Sequence, residues 1–499
     1  MLLHPLRIVP AALLAVFVSA AHAEWAAYSS KNFTLFSDAP ESEVLELLRD
    51  FEEYRRVALA VMSLPDAADD QALKIIYPTR SADFRVFGTS DNVAGFFYHA
   101  EFGPRIAIRS AASRVGRGVA GTADADRQTL YHEYVHYLMD QTSGLNYPPW
   151  YREGIATVLM MVEPGESTIN VGMPLRTEWR RVGATVEDIV DTDYDGEIDE
   201  FYRMSWLLTH YLTIDAVDKP QRRQQMADYL HRYNAGEDPL EAFTASFGSS
   251  ASDLQRAVEA YRQQRTLKVL RVPRSEYAGN ITKRVLQAGE ELYLLGDVAV
   301  ELYESAAALE KFDEFDKRYG DSPLRFKVMG RRAVALGHDD RYDEGDALID
   351  EIVALNLDDS DVFADLAHYF HDRFQVQSRA GDDGSRASLE RSIRYGELAV
   401  ERNARDLEAL FYLGRAYGFS GDLEKAVTTL LKAFQQAPGA DDINLSLARV
   451  LYQSGNTKDA SLLITRNLSA THSAEARQRY RELLQQMKDG NVDPKFLEP

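Results

Sequence analysis

Two histidines and two glutamates carry the strongest chemical signal in this 499-residue chain. The stretch Tyr131-His132-Glu133-Tyr134-Val135-His136 sets two imidazoles at i and i+4. On a helix both project from one face and can bind one zinc ion. Glu133 follows the first histidine. From there it reaches a water at the metal rather than the metal itself, which suits a general base. Zinc hydrolases keep three protein ligands and leave the fourth position open. A third ligand stands downstream, in Pro149-Trp150-Tyr151-Arg152-Glu153-Gly154-Ile155-Ala156. Sixteen residues separate His136 from Glu153. That is enough for a turn and a returning helix that brings Glu153 beside the histidines. Gly154 and Ala156 leave room for close helix contact.

The elements around these residues read as strands first, then helices, which predicts an α+β domain over residues 24–265. Asn32 to Phe36 alternates like a half-buried strand, and Leu73 to Tyr77 is a second. Val93 to Tyr98 and Arg105 to Ile108 are two more, split by Gly103-Pro104. Val44, Leu48, Phe51 and Ala58 recur at helical spacing. A helix from Asp124 to about Asp140 carries the histidines. Pro148-Pro149 then opens another at Trp150. Further helices are expected over 201–212, 222–233 and 251–264.

Residues 266–288 read as a linker with one strand-like piece. From 289 to 488 the pattern is helical and repeats. In residues 407–440, Leu413-Gly414, Tyr417, Gly421, Ala426, Leu430, Ala433 and Pro438 stand at tetratricopeptide-repeat spacing. A shift of 34 gives Leu447-Ala448, Leu451, Gly455, Ala460 and Ile464. Small residues where two helices cross, with bulky ones around them, are what such stacked pairs need. Two degenerate units precede these. The expected architecture is therefore an α+β domain followed by an all-α solenoid, with residues 489–499 as a tail.

Residues 1–23 predict a signal peptide: a weakly basic start at Arg7, an apolar run, then Ala21-His22-Ala23 before the mature chain. The protein is thus expected to be exported, periplasmic or secreted in a bacterial setting, with no integral membrane segment after cleavage. A formal charge of −22 argues against a nucleic-acid partner, which needs clustered Lys and Arg. With no cysteine, disulfides, thiolate metal sites and Cys nucleophiles are excluded.

His-Glu-x-x-His followed by Trp-x-x-Glu-Gly-x-Ala resembles the gluzincin metallopeptidases, and more narrowly the peptidase-MA-like domains of secreted bacterial proteins, often placed ahead of tetratricopeptide repeats. The resemblance covers about residues 25–265, with the repeats over 290–485. It implies one zinc per chain on His132, His136 and Glu153, with Glu133 as base. Aminopeptidase-type relatives carry an oxyanion-binding tyrosine on a later helix, and Tyr202-Arg203-Met204-Ser205 fits that pattern. They also carry an acidic Gly-x-Met-Glu-Asn-like strand, which this chain lacks. Its counterpart, 93–98, leaves Gly95 and Phe96 to hold substrate backbone by edge pairing. The missing acidic anchor favours endopeptidase action on a peptide or protein.

The sequence also holds weaker signals. Asp191, Asp193 and Asp195 with Gly196 are spaced like the start of a calcium loop. Tyr202 stands where the bidentate Glu belongs, so a solvated acidic loop is the better reading. His210 reads as a satisfied structural histidine. His368 and His371 read as surface or packing residues without partners at ligand spacing. Two alternative functions stand beside the peptidase: a catalytically silent scaffold whose repeats bind a protein partner, and a zinc amidase acting on a cell-wall amide.

Overall fold

The computed structural model describes residues 24–66, 72–88, 95–100, 103–108, 122–142, 146–174, 182–191, 198–275, 277–470, 474–493 and 496. The expected signal peptide, residues 1–23, lies outside them. The chain begins with β1 (Ala26–Ser29), β2 (Phe33–Ser37), α1 (Glu41–Met62), β3 (Leu73–Tyr77), the one-turn α2 (Ser81–Phe84), β4 (Gly95–Ala100) and β5 (Gly103–Ile108). Next come α3 (Thr122–Thr142), α4 (Pro149–Met160), β6 (Val162–Pro164), β7 (Thr168–Val171), α5 (Val186–Val190), α6 (Ile198–Thr213), α7 (Pro220–Asn234), α8 (Pro239–Phe247) and α9 (Ala251–Arg262). Two strands follow, β8 (Leu270–Pro273) and β9 (Thr282–Val285). The rest is helical: α10 (Glu290–Glu301), α11 (Ser305–Tyr319), α12 (Arg325–His338), α13 (Tyr342–Ala354), α14 (Ser360–Ala380), α15 (Ser385–Arg402), α16 (Leu407–Ser420), α17 (Leu423–Gln436), α18 (Asp441–Gln453), α19 (Thr457–Ala470) and α20 (Ala474–Asp489). The architecture is mixed α+β. No helix among the described residues is long and apolar enough to cross a membrane.

Six strands form one mixed sheet in the order β4-β5-β3-β2-β1-β9, and β6, β7 and β8 form a small second one. Residues 266–288, expected as a linker with one strand-like piece, supply one strand to each sheet. β8 pairs with β7, and β9 pairs with β1 at Ala26↔Val285 through Ser29↔Thr282. The side chains of β9 (Thr-Lys-Arg-Val) are all exposed, so it has no apolar alternation to read; it is held by backbone pairing at a sheet edge. Gly103-Pro104 does not separate two strands as expected but opens β5. There β3 pairs with β5 only at Ile106 and Ala107, so Pro104 lies outside the two-sided part of the strand.

Both faces of the sheet's central strands are buried. Tyr28, Leu35, Ile75 and Ile106 point to a core shared with α1, α3, α4 and α6. Their neighbours Ala27, Ile76 and Ala107 point the other way, into a core shared with Leu292, Leu295, Phe312, Phe315 and Val334 of α10–α12. The period of two along each strand thus joins the first half of the chain to the helical half.

The helical half packs as consecutive pairs from α10/α11 to α18/α19, closed by α20. Gly414 faces Leu430 where α16 meets α17, with no room for a Cβ. Ion pairs link positions 34 residues apart: Lys327 to Asp361, and Arg331 to both Asp297 and Asp365. The last pairs return to the first half, where the Arg466 guanidinium donates to the backbone oxygen of Asp140 at 2.6 Å. The tail folds back too, with Arg449 Nε donating to the Phe496 carbonyl.

Candidate metal centre

The helix that carries the histidines is fixed by its other face. Tyr131, Tyr134, Val135, Leu138 and Met139 are buried at the i, i+3, i+4, i+7 spacing of an apolar stripe. Tyr131 stacks on Tyr54 of α1 at 3.7 Å between ring centroids. The Tyr54 hydroxyl donates to the carbonyls of Tyr131 and Leu159, clamping α3 and α4 together. One step around α3 from this stripe, His132 and His136 face α4.

α4 starts with Pro149 in its first turn, where a missing N–H costs nothing. It packs between α3 and α6. A Cβ on Gly154 would run into the Ser205 carbonyl and the Thr209 hydroxyl of α6. The expected close contact at Gly154 is therefore present, and it seats Glu153 beside the histidines.

The donor atoms converge. His132 Nε2 and His136 Nε2 are 3.1 Å apart. Glu153 Oε2 is 3.2 Å from the first and 3.6 Å from the second. A tetrahedral zinc with bonds of 2.0–2.1 Å spaces its ligands about 3.3 Å apart, so this donor set fits the ion. All three side chains are largely buried. Burial pushes His136 down to about 4, against the pull of the Glu153 carboxylate, so its imidazole is neutral as a ligand must be.

Arg152 locks the frame. Its two terminal nitrogens donate to Asp140 Oδ1 and Oδ2 at 2.7 and 2.9 Å, a buried bidentate pair. Asp140 lies one turn beyond His136, and Arg152 directly precedes Glu153. The pair thus fixes how α3 and α4 lie against each other at the site.

Tyr202, on α6, is half-buried beside the centre, its ring 6.4 Å from that of His132. Burial raises its phenol well above the usual value, and the Glu153 and Glu133 carboxylates add to this. It therefore stays protonated and can donate a hydrogen bond. Arg477 of α20 acts on the same phenol from the helical half. A cavity of about 620 Å³ opens next to it, with Asp191, Phe201 and Tyr233 on one wall and Leu462, Thr465 and Arg477 on the other. His132, His136 and Glu153 do not line it.

Gly95 and Phe96 fall on β4, the outermost strand of the large sheet, with α3 running alongside. They pair inward with Ile108 and Ala107. Asp191 is exposed after α5, while Asp193 and Asp195 lie outside the described residues. His210 is a satisfied structural histidine, bonded to the Gly172 carbonyl and the Tyr261 hydroxyl. His371 is fully buried, in keeping with its packing reading. His368 is buried as well, but it does have partners at ligand spacing: Asp372, four residues on, contacts both it and His338. The i, i+4 spacing of His368 and Asp372 was the available signal. Compared with protein-family models and with curated proteins, the chain matches none.

Proposed function

We propose that this is an exported zinc-dependent metallopeptidase of the gluzincin kind, whose tetratricopeptide-type helix pairs bind a protein or peptide. One observation carries the reading: three donor atoms on two helices lie 3.1–3.6 Å apart around one point. The spacing of Glu133 beside the first ligand supports hydrolysis rather than a closed structural site. When bound, zinc supplies Lewis-acid polarisation of a carbonyl and lowers the pKa of water.

The chain's own residues divide the remaining work. His132, His136 and Glu153 would hold the ion. Glu133 takes a proton from the attacking water and returns it to the leaving amine. The Tyr202 hydroxyl donates to the oxygen that gains negative charge. The edge of β4, outermost among the described strands, pairs at Gly95 and Phe96 with an extended substrate backbone. The cavity between the two halves gives the rest of a peptide a place to lie.

Elemental mass spectrometry of the purified full chain tests the reading. His136→Ala is expected to carry one zinc fewer per chain than wild type. Equal zinc content in the two proteins would sink it.

A further inference from the structure

A second cluster in the helical half has the same donor spacing as the first. His338 Nε2 and His368 Nε2 are 3.3 Å apart. Asp372 Oδ2 lies 3.4 Å from the former and 3.3 Å from the latter. These are again the edges of a tetrahedron around an ion bonded at 2.0–2.1 Å. His338 ends α12, while His368 and Asp372 share one face of α14. His338 and Asp372 stand 34 residues apart, at the interval that relates neighbouring helix pairs.

Two neutral imidazoles fit this cluster awkwardly. His368 Nδ1 lies 2.8 Å from Glu408 Oε1, and a carboxylate only accepts, so the proton sits on Nδ1. In the neutral ring Nε2 is then a lone pair, yet it faces the Asp372 carboxylate oxygen. The Tyr412 hydroxyl, 2.7 Å away, donates to that lone pair without separating it from Asp372. His338 Nε2 can carry only one proton, although it faces both an imidazole nitrogen and a carboxylate. A cation between the three atoms answers all of these at once.

The surroundings are those of a prepared ligand set. Glu408 orients His368 through its second nitrogen, as carboxylates do behind metal-bound imidazoles. The Tyr303 ring stacks on His338 at 4.4 Å and is itself exposed. Asp372 keeps a quarter of its side chain in solvent, which gives an ion a way in. Two imidazoles and one carboxylate suit zinc or a similar first-row transition ion. Calcium and magnesium are disfavoured, since they need more oxygen donors.

We propose that His338, His368 and Asp372 form a second binding site for a zinc-like divalent cation, which braces α12 against α14 and, through Glu408, against α16. Binding takes the Nε2 lone pair of His368, so the Tyr412 hydroxyl gives up its hydrogen bond there. The site stands apart from His132, His136 and Glu153 and does not depend on any hydrolytic activity.

The test uses the full chain with both His132→Ala and His136→Ala, so that the first site is disabled. Metal-free protein is titrated with zinc by calorimetry, and cobalt(II) is read by its visible absorption. One equivalent is expected, with an absorption band typical of tetrahedral cobalt. Adding Asp372→Asn should abolish the band. Adding Glu408→Gln should weaken binding about 10–100-fold. Tyr412→Phe, which removes the competing hydroxyl and keeps the ring, should bind at least as tightly. No zinc uptake by the doubly substituted chain would overturn the proposal. So would uptake that survives both Asp372→Asn and His338→Gln, or a loss equally large in Tyr412→Phe. None of these outcomes bears on the first site.

Discussion

Glu133→Gln is expected to lower hydrolysis about 10²–10⁴-fold while the zinc content stays that of wild type. Glutamine keeps the shape and hydrogen-bonding reach of the side chain but cannot take the proton. The metal ligands are untouched, so the loss is one of rate alone. Tyr202→Phe in the same assay should cost about 10²-fold, the effect of removing one donor to a developing oxyanion. Cleavage is best followed by mass spectrometry of a denatured-protein digest incubated with each variant, because the substrate is not fixed by the site. A silent scaffold predicts no difference between wild type and Glu133→Gln. A cell-wall amidase predicts the same loss, but on peptidoglycan fragments and not on the digest.

The second large effect is on stability. Arg152→Met should destabilise the fold by about 3–5 kcal/mol, because it strands the buried Asp140 carboxylate. Arg152→Met combined with Asp140→Leu should recover part of that loss, since it removes both charges of the bidentate pair; Arg466, 3.9 Å from Asp140 Oδ1, then keeps its charge without that carboxylate. Denaturant unfolding of the three variants measures both. The pH dependence follows from Asp140. Burial pushes its carboxyl up, but the Arg152 guanidinium outweighs this and holds it below the usual range. Its contribution is therefore complete above about pH 4, its unfolded value. It is lost as pH falls through the lower folded value. The gap between wild type and Arg152→Met should accordingly narrow in acid, and a gap that widens there would contradict the assignment.

The first cluster, His132, His136 and Glu153, was legible because most of it is local. His132 and His136 are one helical turn apart, and Glu153 follows after a single turn of chain marked by two prolines. Tyr202 was reached only through a resemblance, yet it stands beside the centre. The second cluster was half legible. His368 and Asp372 have the same i, i+4 spacing, but His338 comes from another helix and no local pattern joins it to them. The strands with alternating apolar residues, β2 and β3, could be read. β1 and β9 could not: one is very short, and the other keeps every side chain in solvent. Nor did the alternation reveal that the outer face of the sheet is covered. Ile76 and Ala107 read as ordinary strand residues, and only the packing of α10–α12 shows what lies over them.

That shared sheet bears on the order of folding. Lys283 of β9 bonds Glu41 across 242 residues of sequence, and the second face of the sheet waits for helices made later still. Contacts this distant must close long loops before they return any free energy, so they form slowly. A chain emerging from its N-terminus can wind α1 and α3 early. It cannot hide Ile76 and Ala107 until the first helix pairs arrive. During that interval it carries a sheet with one wet apolar face and an unpaired edge, the kind of surface on which nascent chains aggregate. On the export proposed above, this lag is useful as well as hazardous, since a chain that has not finished folding can still be threaded across a membrane.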